Sequence, residues 1–170
     1  VENNHVLFAN KYWRIIRING DGSIRMIYAG TSAHENGYDD SSTNDMDIGT
    51  SSFNSLKDDN TYMGYMYGTA GSKTYAATHE NINESEIKMA VDEWYEDNLK
   101  TNYSNYLADT LFCNDKTLAS SSIGSSNTAL GYGTNKTYYA SMERLQYSTG
   151  TTDITTEKPT FKCAESATND

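Results

Sequence analysis

Proline is nearly missing from this 170-residue chain. Pro159 is the only one, so no Pro-rich stalk runs through the segment. Cysteine is almost as scarce: Cys113 and Cys163 form no CxxC, and none of His5, His34 and His79 is close in sequence to either. That spacing excludes the common zinc modules. Apolar residues make up only 36% of the chain, with few Leu, Ile, Val and Phe. No apolar run approaches the roughly 20 residues that span a bilayer, so no membrane contact is expected within the segment. Positive charge is short as well, with 13 Lys and Arg against 23 Asp and Glu and a net charge of −10. No basic stripe appears, and a surface of this sign repels phosphate, which argues against a nucleic-acid partner.

What replaces the missing groups is tyrosine, 14 residues of it, in a background about a third Ser, Thr and Asn. Disordered chains share the low aliphatic content but are poor in aromatics, so a folded domain is expected, its core built on Tyr, Trp and Met. The length fits a single domain, residues 1–170. The chain opens Val-Glu-Asn-Asn with neither Met nor a signal peptide, and is expected to be a mature or trimmed product. Two cysteines in an exported chain would form a disulfide; in the cytosol they would be unrelated thiols. A Cys113–Cys163 bridge would close a loop of about 50 residues, worth roughly 4 kcal/mol in the chain-entropy model.

Secondary-structure signals are clearest at the N-terminus. Trp13-Arg14-Ile15-Ile16-Arg17-Ile18 and Ser23-Ile24-Arg25-Met26-Ile27-Tyr28 are rich in β-branched and aromatic residues. Asn19-Gly20-Asp21-Gly22 between them supplies the positive φ values of a tight turn. The reading is an antiparallel hairpin, widened to a meander if Val6-Leu7-Phe8 adds a third strand. Residues 31–83 lose periodicity, apart from Tyr62-Met63-Gly64-Tyr65-Met66-Tyr67-Gly68, which suits a strand or a packed aromatic loop. One amphipathic helix is predicted from Glu84 to Leu99, with Asn83 as its N-cap and Glu86 completing an approximate capping box. Ile87, Ala90, Val91, Trp94, Tyr95 and Leu99 make its apolar stripe. A helical turn is expected near Asn105–Thr110, a mobile surface loop at 120–136, a strand or extended segment at Tyr138–Met142, and a short strand at Thr160–Cys163. Trp13 and Trp94 are expected in the core. The fold class is therefore α+β with a loop-rich remainder.

Motifs for chemistry are weak. Asp39, Asp40, Asp45 and Asp47 invite a calcium site, with solvated loop carboxylates as the simpler reading. Asn19-x-Asp21-x-Ser23 resembles half an EF-hand loop, but Gly30 stands where the bidentate Glu belongs. His79-Glu80 lacks the HExxH form, and Gly71-Ser72 and Gly124-Ser125 lack a GxSxG frame. Gly131-Tyr132-Gly133-Thr134 has no phosphate-loop context. No catalytic, cofactor or metal residue is assigned. Tyr62, Tyr65, Tyr67, Tyr75, Tyr132, Tyr138 and Tyr139 fall in loop-like stretches among Ser, Gly and Asn, a composition suited to recognition. In an aliphatic-poor domain the same rings would serve as core. As candidate ligand-binding residues the pattern singles out Tyr62, Tyr65, Tyr67, Tyr132, Tyr138 and Tyr139.

The run Trp13-Arg14-Ile15-Ile16-Arg17-Ile18-Asn19-Gly20-Asp21-Gly22-Ser23-Ile24-Arg25 resembles the opening of uncharacterised cell-surface proteins of gut Firmicutes. The likeness continues through Tyr62–Gly68, Thr78-His79-Glu80-Asn81, Ser85-Glu86-Ile87-Lys88, Asp92-Glu93-Trp94-Tyr95 and Phe112-Cys113-Asn114-Asp115. The family usually has Arg-Ser next; Lys116-Thr117 stand here, a change expected to have no consequence. The resemblance implies a C-type-lectin-like domain, a fold shared with the formylglycine-generating-enzyme superfamily, behind a prepilin-like or lipidated anchor upstream. It also implies a paired Cys113 and Cys163 in an exported setting. The family's later Trp-Thr-Met-Ser-Pro and Gly-Val-Arg-Pro-Val segments are missing, so an incomplete form of that fold is expected. The enzyme branch's catalytic cysteines have no match. Together these readings point to an extracellular, cell-surface binding or adhesion domain of a Gram-positive bacterium, not an enzyme and without a cofactor. Its 31–83 and 120–136 loops would meet a glycan or protein ligand. The alternative is a self-assembling pilus or pseudopilus subunit.

Overall fold

The computed structural model describes residues 4–34, 45–110, 116, 118 and 131–139. The architecture is mixed α+β, with a three-stranded antiparallel sheet and one main helical stretch of 21 residues. The chain divides into two compact units, Val1–Ser51 with Val91–Asp109, and Ser52–Ala90 with Thr110–Asp170.

In the first unit, β1 (His5–Phe8), β2 (Lys11–Ile18) and β3 (Ile24–Tyr28) pair in chain order. Val6–Phe8 thus supplies the third strand of the meander. Ala9 and Asn10, with φ of 54° and 57°, form the two-residue turn between β1 and β2. Two consecutive left-handed residues match the right-handed twist of the flanking strands. The β2–β3 turn closes through the Gly22 N–H to the Asn19 carbonyl at 3.1 Å. Asp21 accepts there from the Ser23 N–H at 2.9 Å and its hydroxyl at 2.7 Å. The half EF-hand pattern is therefore a turn lock. Ser23 holds the Asp21 carboxyl below its ordinary pKa, through its hydroxyl first and its N–H second.

Strand β2 carries a bulge. Ile15 lies opposite Met26 and Arg17 opposite Arg25, leaving Ile16 as the extra residue. One sheet face presents Phe8, Trp13 and Tyr28 to the helix: Trp13 meets Tyr28 at 5.6 Å and Trp94 at 6.2 Å, and Tyr28 meets Trp94 at 5.5 Å. Phe8 meets Tyr103 at 5.3 Å. All are edge-on, the arrangement that ring quadrupoles favour. The Trp13 indole N–H donates to the Phe8 carbonyl at 2.9 Å, so the half-buried ring packs without stranding its donor. Among the described residues the buried hydrophobics are only Ala9, Ala29 and Leu99. The aromatic core expected from the composition is what packs this unit.

The main helix starts later than predicted. Asn83–Glu84 is a two-residue strand, β5, paired with β4 (Met66–Tyr67). Helix α2 runs Glu86–Tyr95, capped by Ser85, whose hydroxyl accepts from the Lys88 N–H at 3.1 Å. Asn83 is not its N-cap, because the strand pairing claims that residue. A π-helical turn follows over Glu96–Lys100, then Thr101–Tyr103 and a 3-10 turn at Ser104–Tyr106. The wider turn suits the five-residue step from Trp94 to Leu99, and Leu99 is buried. The Asn98 amide caps the Trp94 carbonyl there at 2.8 Å. The helical turn predicted near Asn105–Thr110 therefore lies earlier, and 107–110 are not helical.

In the second unit the unperiodic stretch contains structure that the sequence pattern did not reveal. A 3-10 turn, Asn60–Tyr62, is capped by Asp59. Helix α1, Tyr75–His79, is capped by Thr74. Gly68 and Thr69 bond to the Thr78 and Ala77 carbonyls at 2.9 and 2.7 Å. A Cβ on Gly68 would stand 2.1 Å from the Ala77 oxygen, so only glycine permits this approach. The Tyr62–Gly68 segment thus holds a short strand beside an aromatic pair. The strand predicted at Thr160–Cys163 and the extended segment beyond Tyr139 lie outside the described residues, as do Cys113 and Cys163 themselves and positions 120–130 of the predicted loop.

Candidate functional site

Among the described residues of the second unit, the most exposed aromatic surface is a pair. Phe53 and Tyr65 are each 48% exposed and pack edge to face at 6.0 Å. Both backbones are pinned: the Tyr65 carbonyl accepts from Ser85 at 2.9 Å and the Phe53 carbonyl from Ile87 at 3.3 Å. The rings are therefore held rather than dangling. Leu56 and Ile82 of the same unit are also exposed. Phe53 was not singled out by the sequence pattern, although a lone aromatic in Ser51-Ser52-Phe53-Asn54-Ser55 is the signal that could have marked it.

Of the six tyrosines read as ligand-binding, Tyr65 is the exposed one. Tyr62 and Tyr67 are half-buried and pack on each other at 5.1 Å. Tyr138 is half-buried, its ring 5.2 Å from the Lys136 ammonium. Tyr132 is half-buried, and its carbonyl accepts from the Asn135 amide at 3.0 Å. Tyr139 turns into a polar network described next.

That network joins positions 60, 75, 79, 116 and 139. The Tyr139 hydroxyl donates to Asn60 Oδ1 at 2.9 Å and lies 2.9 Å from His79 Nε2. The Asn60 amide donates to the Gly133 and Asn135 carbonyls, both at 2.7 Å. His79 stacks on Tyr75 at 4.4 Å, with Nδ1 3.0 Å from the Tyr75 carbonyl. The Tyr75 hydroxyl donates to the Lys116 carbonyl at 2.8 Å. Lys116 is wholly buried, and its ammonium donates to the His79 carbonyl, to Asn81 Oδ1 at 2.7 Å and to the Met66 carbonyl at 3.4 Å. Burial, reinforced by the Lys116 charge, lowers the His79 pKa. Burial, then the nearby Asp59, raises the Tyr139 pKa. Lys, Tyr and His are proton-transfer groups, but here each is turned onto protein partners. Lys116 occupies a position that ties β4 to the end of α1.

Asp45 in the first unit is not the solvated carboxylate expected. Its Oδ2 accepts from the Thr31 N–H at 2.9 Å, the Thr31 hydroxyl at 2.8 Å, and the Ser32 N–H and hydroxyl at 3.0 Å each. Oδ1 meets His34 Nε2. Gly30 leaves the room: a Cβ there would sit 3.0 Å from the carboxylate. The Thr31 hydroxyl, then His34 and Ser32, hold the Asp45 carboxyl well below the usual range. Ser32, His34 and Asp45 have the composition of a hydrolase triad but not its geometry. The Ser32 hydroxyl, at 3.5 Å, and the carboxylate both face the same imidazole nitrogen, so no relay runs through the ring.

Asp39 and Asp40 lie outside the described residues, and the lone pairs of Asp45 are taken by donors. Among the described residues no three His, Cys, Asp or Glu side chains converge as a metal site would require. Nor, among them, is any helix long and apolar enough to cross a membrane. Neither the protein-family models, the curated proteins nor the solved structures yield a match to this chain.

Proposed function

We propose that the chain is an extracellular, cell-surface binding or adhesion domain of a Gram-positive bacterium, held through an anchor upstream, with its ligand contact at Phe53 and Tyr65. The observation that carries this reading is the exposed, edge-packed pair on pinned backbone. Rigid aromatic rings offer large contact area at small entropic cost, and they stack well on sugar faces or apolar protein patches. The inward commitments of His79, Tyr139, Lys116 and Asp45 favour binding over catalysis. The lectin-like fold, in an incomplete form, and a Cys113–Cys163 bridge belong to the same proposal.

Glycan and mucin arrays probed with the full chain and with Phe53→Ala and Tyr65→Ser test it. Binding that falls about tenfold or more in either variant is expected, since aromatic anchors carry most of such contacts. Binding unchanged in both variants, or no binding by the parent, overturns it. Thiol titration of the denatured, unreduced chain should find no free thiol; two free thiols would remove the bridge and the exported setting.

A further inference from the structure

We propose that the outward face of the three-stranded sheet is a self-association surface, and that its occupant is the acidic flank of the main helix from a second copy of this chain. The argument begins with the bulge. Arg14 lies opposite Ile27, and Arg17 opposite Arg25. Cross-strand partners share a face, as do residues two apart on one strand. Arg14 and Arg17 are three apart, and in a regular strand they would point to opposite sides. The extra residue at Ile16 restores the parity, bringing Arg14, Arg17 and Arg25 to one face. That gathers three of the four arginines of a chain with net charge −10. Leu7 and Ile27, 64% and 55% exposed, share the face with them. Like charges set directly opposite do not by themselves stabilise a strand pair, whereas Arg beside exposed aliphatics is a composition that interfaces favour.

The same unit carries the complement. The helix turns Trp94 toward the other side of the sheet, and Glu93 and Asp97 are exposed. Glu96 between them pairs with Lys100. Glu93 and Asp97 are about 6 Å apart along the helix axis, close to the roughly 5 Å between paired strand positions such as Arg17 and Arg25. Basic and acidic patches on different surfaces of one unit join head to tail, and such an interface can propagate. Repulsion between the two net charges is screened beyond about 8 Å at physiological salt, while contact pairs are not. This inference does not rest on the ligand-binding reading, which concerns Phe53 and Tyr65.

Sedimentation equilibrium of the full chain over a concentration series, in low and high salt, tests the proposal. Average mass should rise with concentration and fall back with salt. Arg17→Glu with Arg25→Glu, and separately Glu93→Arg with Asp97→Arg, should each weaken association about tenfold or more. Mixing the two charge-reversed proteins should restore it. If the reversed arginines disturb the strand, Arg17→Gln and Ile27→Ser should still weaken association. A parent that stays monomeric at every concentration overturns the proposal. So do variants that associate like the parent, or folded variants whose mixture stays monomeric. A monomer that binds a sulfated polysaccharide through this face overturns it too, and gives the face to a polyanion instead.

Discussion

Replacing Lys116 by Met removes a buried ammonium while keeping most of the side-chain volume. The carbonyls of His79 and Met66 and the Asn81 amide oxygen then lose this donor in a place closed to water. A hydrogen bond from a charged donor contributes about 1.5–3 kcal/mol, and a buried acceptor left unmatched costs about 1–3 kcal/mol. Against this, Met needs no desolvation, and the apolar replacement recovers several kcal/mol. Two of the acceptors are backbone and cannot be substituted away, so the balance stays unfavourable. We expect a net loss of about 3 kcal/mol, because three neutral acceptors left unmatched at about 1–3 kcal/mol each outweigh the relief of the ammonium's desolvation. In a domain of this size that lowers Tm by about 6–12 °C. Urea titration followed by far-UV circular dichroism measures it, with Lys57→Met, at an exposed lysine, as a control expected within about 0.5 kcal/mol of the parent. A loss for Lys116→Met below about 1 kcal/mol would refute the tie between β4 and α1.

Two further outcomes follow from the same region. With its pKa lowered, buried His79 resists a proton that the unfolded chain accepts below about 6.5. Stability should therefore decline as pH falls through that value toward the depressed one, then level off; His79→Gln should flatten the decline in urea midpoints. Tyr139, with its pKa raised, keeps its proton where the unfolded phenol loses it, so stability should also fall above about pH 10, and Tyr139→Phe should lessen that loss, the remainder resting on Tyr28, whose pKa burial also raises. Gly68→Ala should cost about 3 kcal/mol, the upper end for overpacking, because its Cβ would collide with the Ala77 carbonyl. Gly20→Ala, with nothing within 4 Å, should be nearly neutral by the same titration.

The meander was legible in the sequence because its signals are local. Alternating β-branched and aromatic residues flank Asn-Gly-Asp-Gly, and nothing distant competes. The helix start was misplaced because Asn83 and Ser85 are both good caps, and the choice between them is made by a strand pairing to Met66–Tyr67 that lies outside any local window. Helix α1 is five residues long, too short for periodicity to register. The polar network eluded the sequence for a different reason: positions 60, 79, 116 and 139 meet only in space. Burial of Lys116 runs against the usual habit of lysine, which no pattern of neighbours announces. The bulge at Ile16 was equally silent, since one inserted residue reverses which side every later side chain occupies.

Both tryptophans, Trp13 and Trp94, sit in the first unit, each ringed by tyrosine or the other indole. Intrinsic indole emission is thus a private reporter of one half of the molecule. A fluorescence melt would follow the sheet and its helix while the Lys116 region came apart unseen, and two optical probes that disagree would be announcing two separate transitions.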